Sequence, residues 1–88
     1  MEIIYSQQAQ SDIKFWLKSG NKKIQAKITQ LINAIQKDPF SGIGKPEALK
    51  YELNGKWSRR IDEEHRLIYE MPEDQSIIKI HSLKGHYR

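Results

Sequence analysis

Residue types that could bind a phosphate and move protons are concentrated between Gly42 and Tyr69. Three arginines stand within eight residues there, and arginine is favoured where a planar group must hold two phosphate oxygens at once. Two carboxylates, Glu47 and Glu52, are set among the cations, and a carboxylate can accept or donate a proton. A solvated, charged hairpin face is the commoner explanation of such a composition. The alternative is a site for phosphate chemistry, whose candidate cations are Lys45, Lys50, Lys56, Arg59, Arg60 and Arg66.

Glu47 and His86 are the candidates for proton transfer. Glu47 follows Pro46 where a loop meets a strand, and neighbouring cations favour its ionised form, as a general base requires. His86 stands near the chain end, where an imidazole could fold over the sheet edge and exchange a proton near neutrality. The blander interpretations are a surface carboxylate and a frayed terminal histidine. Tyr87, also near the end, could stack on a nucleobase.

The other histidines are predicted to be structural, and no metal site is expected. His65 and His81 stand at odd-numbered strand positions, which are biased toward the core. The chain has no cysteine, and Glu63-Glu64-His65 falls in a predicted turn rather than on the helix that a zinc motif of this kind needs. We therefore predict neither a metal nor another cofactor.

Length and charge limit the remaining possibilities. The 88 residues are enough for one domain, residues 1–88, because a chain this short cannot build a second core. The net charge of +4 favours a polyanionic partner, although only weakly. The N-terminus has no apolar run of the length that a signal peptide or membrane span requires, so we expect a soluble, cytoplasmic protein with no membrane partner.

The first half predicts a strand and two helices. Residues 1–5 suit a strand with both faces largely covered, and Ser6 can cap the following helix. Gly20 is expected to end that helix and Asn21 to cap the next, which ends near Lys37 because Pro39 disfavours helical geometry at the residue before it. The predicted core face of the first helix is Ala9, Ile13, Trp16 and Leu17. That of the second is Ile24, Ile28, Leu31, Ile32 and Ile35.

After a loop over residues 40–46, the apolar period changes from 3.6 to 2, which predicts antiparallel strands. Asn54-Gly55 is a strong hairpin signal, residues 72–75 are expected to turn, and residues 76–83 form the last strand. Arg60 and Arg66 share a face only if an odd number of residues joins their strands, so we predict a three-residue or bulged connection around residues 63–65. The positions predicted to face the core are Leu49, Tyr51, Leu53, Trp57, Ile61, Leu67, Tyr69 and Met71. The fold class is α+β, with an N-terminal strand, a two-helix hairpin and a roughly four-stranded antiparallel meander that leaves one sheet face open and basic.

Six short motifs then follow one another along the chain: Gly44-Lys45-Pro46-Glu47, Leu49-Lys50, Asn54-Gly55, Trp57-Ser58-Arg59-Arg60-Ile61, Glu63-Glu64-His65-Arg66-Leu67 and His86-Tyr87. In this order they resemble the YoeB/Txe branch of the RelE-like bacterial toxins, and the resemblance spans nearly the whole chain. One departure is visible, because Arg88 follows the pair at which similar chains often stop. The resemblance implies a RelE-like, microbial RNase-like fold.

The resemblance also implies an activity, a mechanism and partners. Similar toxins cleave ribosome-bound mRNA without a cofactor. Each is held silent by an acidic antitoxin, which the resemblance implies is here of the YefM/Axe kind. A homodimer is also compatible with the resemblance. By this resemblance Glu47 takes the 2′-hydroxyl proton and His86 protonates the leaving oxygen. Arg66, with Lys50 and Arg60, stabilises the charge on phosphorus, and Tyr87 positions or stacks the base. The implied substrate-binding residues are Lys45, Lys50, Arg59 and Arg60. The alternatives are a fold relative that inhibits a protein target, as ParE-like gyrase inhibitors do, and a basic nucleic-acid-binding module without chemistry.

Overall fold

Two helices and a five-stranded sheet make up the computed structural model, which describes residues 2–73 and 76–85. The elements are β1 (Glu2–Tyr5), α1 (Gln7–Ser19), α2 (Lys22–Lys37), β2 (Glu47–Ala48), a short 3-10 turn (Tyr51–Leu53), β3 (Lys56–Arg60), β4 (Arg66–Glu70) and β5 (Ile77–Ser82). The strand order is β1-β5-β4-β3-β2, with β1 parallel to β5 and every other neighbouring pair antiparallel. The predicted α+β class and the meander of the last four strands are confirmed.

The helix boundaries agree with the predicted caps. The Ser6 hydroxyl accepts the Ala9 N–H at 3.0 Å, and the Asn21 side chain accepts the Ile24 N–H at 3.1 Å. Each cap satisfies a backbone donor that has no partner within its own helix. Gly20 ends α1 with a φ of 71°, a left-handed conformation that glycine adopts without steric cost. None of the helices in the described ranges is both long and apolar enough to cross a membrane.

The core lies between the helices and one face of the sheet. Among its residues, Leu31 and Ile35 of α2 are fully buried, and Ile78 and Ile80 of β5 are fully buried in the same cluster. These positions show the helical period in α2 and the alternating period in β5. The core of the domain is therefore the one that the α2 periodicity predicts.

Leu31→Ala is expected to lower the free energy of unfolding by about 2–5 kcal/mol, because it leaves a cavity in the centre of the α2 face. Leu17→Ala is the matched control, since that leucine is 63% exposed on α1 and its loss should change stability by less than about 0.5 kcal/mol. Urea denaturation of both variants measures the difference. Equal midpoints for the two variants would contradict this assignment of the core.

Two predictions of burial in the first half are wrong. Leu17 is exposed, and Asp12 is buried in its place with 2% exposure, because Asp12 accepts the backbone N–H of Leu83 at 2.8 Å. Strand β1 is not covered on both faces, since Ile4 is 41% exposed. Within the described ranges β1 is the edge strand of the sheet, next to β5, and its side chains alternate between exposed and partly buried.

The predicted alternation across residues 49–53 is also wrong. Strand β2 covers only Glu47 and Ala48, and Tyr51 is 92% exposed with a φ of 58°. The left-handed residue and the 3-10 turn that begins there interrupt the extended backbone, so side chains no longer alternate between faces. The hairpin closes through the Leu49 N–H and the Lys56 carbonyl at 2.9 Å, with residues 50–55 as its loop. The turn signal was correct, but the loop is longer than two residues.

The connection between β3 and β4 confirms the parity argument. Arg60 is directly opposite Arg66, and the Ile61 N–H donates to the His65 carbonyl at 3.0 Å, which leaves residues 62–64 as a three-residue loop. Both arginines therefore lie on the same sheet face. Of the turn expected at residues 72–75, residues 74 and 75 lie outside the described ranges.

Candidate active site

The candidate site lies on the sheet face opposite the helices, across β2, β3 and β4. Glu47 is paired with Ser58, and Ser58 with Ile68, so one row of this face runs from the edge strand inward. Arg60 and Arg66 form the next row, two residues further along β3 and β4. Ser58 is 3% exposed and Ile68 is 6% exposed, so the face is less open than the sequence predicts.

The arginine row is bounded on both sides by the segments that carry the proton-transfer candidates. The Arg60 N–H donates to the Gly44 carbonyl at 2.6 Å, three residues before Glu47. The Arg66 N–H donates to the Gly85 carbonyl at 3.0 Å, directly before His86. Glu47 therefore lies on one side of the arginine pair, and the described chain ends on the other side.

Sheet geometry sets the distance between Glu47 and Arg66. Adjacent strands lie about 4.8 Å apart and two residues of a strand span about 6.6 Å, which places the Cα atoms of Glu47 and Arg66 about 12 Å apart. Glu47 is exposed at this edge.

Arg66 is held in place by the turn that precedes it. Its Nη1 donates to the carbonyl oxygens of Asp62 at 3.0 Å and His65 at 3.3 Å. Burial acts to raise the pKa of Asp62, but the N–H groups of His65 and Glu64, which donate to its carboxylate, outweigh this and lower it. The ionised Asp62 therefore organises the turn that holds the guanidinium of Arg66.

Arg59 does not lie on this face, which corrects the expectation that it contacts substrate. It is fully buried on the helix side, where Nη2 donates to the carbonyls of Asp38 at 2.7 Å and Ser41 at 2.8 Å. Its Nη1 donates to the Ile43 carbonyl at 3.1 Å, and its Nε to the Tyr69 hydroxyl at 3.2 Å. The guanidinium thus binds the loop after α2 to the sheet.

Tyr69 completes this buried connection. Burial raises the pKa of the Tyr69 hydroxyl, so it keeps its proton and donates to the Pro39 carbonyl at 2.5 Å. The loop that leads to Glu47 is therefore attached at several of its carbonyls. Buried carbonyls need such partners because leaving one unpaired costs about 1–3 kcal/mol.

Gly44 allows the loop to approach this connection closely. Its φ is 85°, and a Cβ added there would lie 2.7 Å from Leu31 Cδ2 and 3.1 Å from Arg59 Cβ. Only glycine fits the conformation and the contact together. The glycine of the Gly44-Lys45-Pro46-Glu47 motif thus brings Glu47 against the sheet edge.

The remaining predicted substrate-binding residues lie at the surface. Lys45, Lys50 and Arg60 are all exposed. A groove of about 590 Å³ is lined by residues 47–53, which include Lys50. The side chains of these three cationic residues are therefore accessible to solvent.

The two described histidines differ from each other. His65 is structural, as predicted: its ring meets the Trp16 ring edge to face at 4.9 Å. His81 lies on the opposite side of the sheet from the core, where its Nε2 is 2.9 Å from Glu70 Oε1, and this hydrogen bond lowers the pKa of Glu70. In β5 the even positions face the core, so the parity used for His81 was wrong. His86, Tyr87 and Arg88 lie outside the described residues.

Solved bacterial toxins share this architecture. The structure of a YoeB dimer from Staphylococcus aureus matches with a TM-score of 0.87 at 43% identity, covering 99% of this chain and 98% of that one. A YoeB–YefM complex from the same organism matches with a TM-score of 0.85 at 44% identity and the same coverage. The fold therefore defines the protein's class as a toxin of a bacterial toxin–antitoxin system.

Sequence comparison defines the family. Residues 5–87 match the family described as YoeB-like toxin of bacterial type II toxin-antitoxin system. Toxin RelK of Mycobacterium tuberculosis is 49% identical over 85 residues, which cover 97% of this chain and 94% of the relative. Toxin YoeB of Escherichia coli K12 is 45% identical over 87 residues, which cover 99% and 100%. The chain belongs to the YoeB-like toxin family.

Proposed function

We propose that this toxin is a metal-independent endoribonuclease that cleaves mRNA in the ribosomal A site of the cytoplasm. The observation that carries the proposal is the row across the sheet: a paired Arg60 and Arg66 with the Glu47 segment on one side and Gly85 on the other. Transfer at phosphorus needs a base on the side of the attacking oxygen, an acid on the side of the leaving oxygen, and positive charge between them. The proposed base is Glu47, the proposed positive charge is that of Arg66, and the proposed acid is His86, which follows Gly85 in the sequence.

The proposed reaction is an internal transesterification. Glu47 accepts the proton of the ribose 2′-hydroxyl, whose oxygen forms a bond to the adjacent phosphorus. The bond from phosphorus to the 5′-oxygen breaks, and His86 donates a proton to that oxygen. The products are a 2′,3′-cyclic phosphate and a free 5′-hydroxyl. No atom changes its oxidation state in this reaction.

The positive charge comes from side chains. Arg66 faces the charge that develops on the phosphate oxygens, and its guanidinium is already oriented by the carbonyls of Asp62 and His65. Donors that are preorganised in this way stabilise a transition state without the cost of reorienting during the reaction. Lys45, Lys50 and Arg60 bind the flanking phosphates, and Tyr87 stacks on a base. Arg59 is left out of this assignment because it is buried.

Glu47→Gln and His86→Gln are each expected to lower the single-turnover cleavage rate by about 10² to 10⁴, the contribution of one general acid or base. Each variant is assayed on an mRNA programmed in the ribosomal A site and on the same RNA free in solution. The parent protein should cleave the ribosome-bound RNA faster, since a shallow sheet face offers few groups to orient a flexible strand.

The end groups and the rates test different parts of this proposal. A 2′,3′-cyclic phosphate on the upstream fragment identifies the 2′-hydroxyl as the nucleophile. Equal rates on free and ribosome-bound RNA would reject ribosome dependence alone. Parent-like cleavage by both folded variants would reject the acid–base assignment and favour a binding module or a ParE-like inhibitor.

The proposed partner is an acidic antitoxin of the YefM/Axe kind. The chain carries a net charge of +4, and the S. aureus relative was solved as a complex with YefM. An acidic segment on the arginine row would associate rapidly and shield the site. We also propose a homodimer, as solved for that relative.

Hydrogen exchange measures which surface the antitoxin covers. On binding, we expect exchange to slow at the backbone around Arg60, Arg66 and the C-terminal tail. Protection confined to the two helices would show that the antitoxin silences the toxin without covering the site. Helix residues on the far side of α1, around Lys14, provide the internal control.

A further inference from the structure

The segment between β5 and His86 is held by side chains from two distant parts of the chain. The Leu83 N–H donates to Asp12 Oδ2 at 2.8 Å, and Trp16 Nε1 donates to the Leu83 carbonyl at 2.8 Å. Both polar backbone groups of this residue therefore bond to α1. Leu83 follows the last residue of β5 and is itself fully buried.

Gly85 is held in the same way by the turn before β4. Its N–H donates to His65 Nδ1 at 2.8 Å, and its carbonyl accepts the Arg66 N–H at 3.0 Å. A chain end of this kind is usually poorly ordered unless it is tied down. Here the last described residue is bonded on both sides, directly before His86.

The groups that hold the segment also contact one another. The His65 ring packs edge to face on Trp16 at 4.9 Å between ring centroids. Asp12, which is 2% exposed, accepts a second hydrogen bond from Gln8 Nε2 at 2.8 Å. A buried carboxylate costs stability unless it is hydrogen-bonded, and one of the groups that bond to Asp12 is the backbone N–H of Leu83.

We propose that His65, supported by Asp12 and Trp16, is a positioning residue that sets where His86 acts on the leaving oxygen. This inference rests on the proposed function of His86. Because Nδ1 accepts the Gly85 N–H, a neutral His65 carries its proton on Nε2. Nε2 lies 3.7 Å from Glu64 Oε2, which is too long for a hydrogen bond. The close polar contact of the ring is therefore the one between Nδ1 and the Gly85 N–H.

Two substitutions separate the two features of His65. His65→Phe keeps a ring against Trp16 but removes the acceptor for Gly85. His65→Asn loses the ring but places an oxygen where Nδ1 was. If the Nδ1 acceptor matters, His65→Phe should lower the single-turnover rate on ribosome-bound RNA by about 10- to 100-fold at unchanged KM. A small misplacement of a catalytic group costs about this much. His65→Asn should keep most of the parent rate.

The test is a double-mutant cycle with His86→Gln, together with NMR measurement of amide exchange at Gly85. His65→Phe should cause no further loss in the His86→Gln background, because it acts through His86. It should also speed exchange of the Gly85 amide, while His65→Asn should not. Glu64→Gln is the matched control and should leave rate and exchange unchanged. Trp16→Phe repeats the test at Leu83 if His65→Phe does not fold.

Each result decides a separate question. If His86→Gln cleaves at the parent rate, the proposed role of His86 fails, whatever the His65 variants do. If His86→Gln is slow but His65→Phe is not, or if His65→Phe causes the same loss in both backgrounds, the positioning role is overturned. A Gly85 amide that stays protected in His65→Phe overturns it as well, independently of any activity.

Discussion

Arg66→Ala is expected to lower the rate of cleavage on the ribosome by about 10³ to 10⁵ while the protein stays folded, a loss like that of an arginine finger in phosphoryl transfer. Arg66 is the proposed donor to the phosphate oxygens, and its interaction strengthens as charge develops on them. The turn that precedes it should survive, because the Ile61 N–H still bonds to the His65 carbonyl and Asp62 still accepts two N–H groups.

Single-turnover rates at saturating ribosomes, with melting temperatures, measure this effect. Arg66→Lys keeps the charge but loses the planar fork, so we expect a rate between those of the parent and Arg66→Ala. Arg60→Ala is the neighbouring control on the opposite strand and should weaken binding more than the rate at saturation. A folded Arg66→Ala variant that cleaves at the parent rate would remove Arg66 from the mechanism.

Local signals predicted the helices and the paired arginines correctly. Ser6, Gly20 and Asn21 act through hydrogen bonds within three or four residues, so the sequence alone specifies the ends of α1 and the start of α2. The shared face of Arg60 and Arg66 follows from counting residues, since side chains alternate along a strand. Such predictions need no knowledge of distant partners.

The errors come from contacts that are distant in sequence. Asp12 is buried because its partner is Leu83, 71 residues away, and no local pattern can show this. Tyr51 leaves the strand pattern because its backbone is left-handed, which a tyrosine rarely adopts. The approach of Gly85 to Arg66, on which the proposed site depends, is likewise a backbone hydrogen bond between parts of the chain that are distant in sequence.

Arg59 is a different case, because the sequence did contain the signal. It stands between Trp57 and Ile61, which were assigned to the core, so strand parity places its side chain on the helix side with theirs. The prediction that Arg59 binds substrate rested on its charge and not on the alternation of side chains along the strand. A charged residue at a core position of a strand is better interpreted as a candidate for buried hydrogen bonding.

Arg59→Leu is accordingly expected to lower the free energy of unfolding by about 3–5 kcal/mol. The guanidinium is fully buried and donates to three loop carbonyls and to the Tyr69 hydroxyl. Each acceptor left unpaired costs about 1–3 kcal/mol, and water can satisfy only those near the surface of the loop. Leucine fills part of the space but offers no donor.

Arg60→Leu is the matched control, since it makes the same chemical change at the next residue of β3, where the side chain is exposed. Its stability should stay within about 0.5 kcal/mol of the parent. Urea denaturation compares the two variants, and Arg59→Lys should fall between them because an ammonium cannot reach all four acceptors together. Because Arg59 attaches the loop that ends at Glu47, the folded fraction of Arg59→Leu should also cleave more slowly than the parent. Equal midpoints for the two leucine variants would mean that the loop is held by its glycines and by Tyr69 rather than by the buried guanidinium.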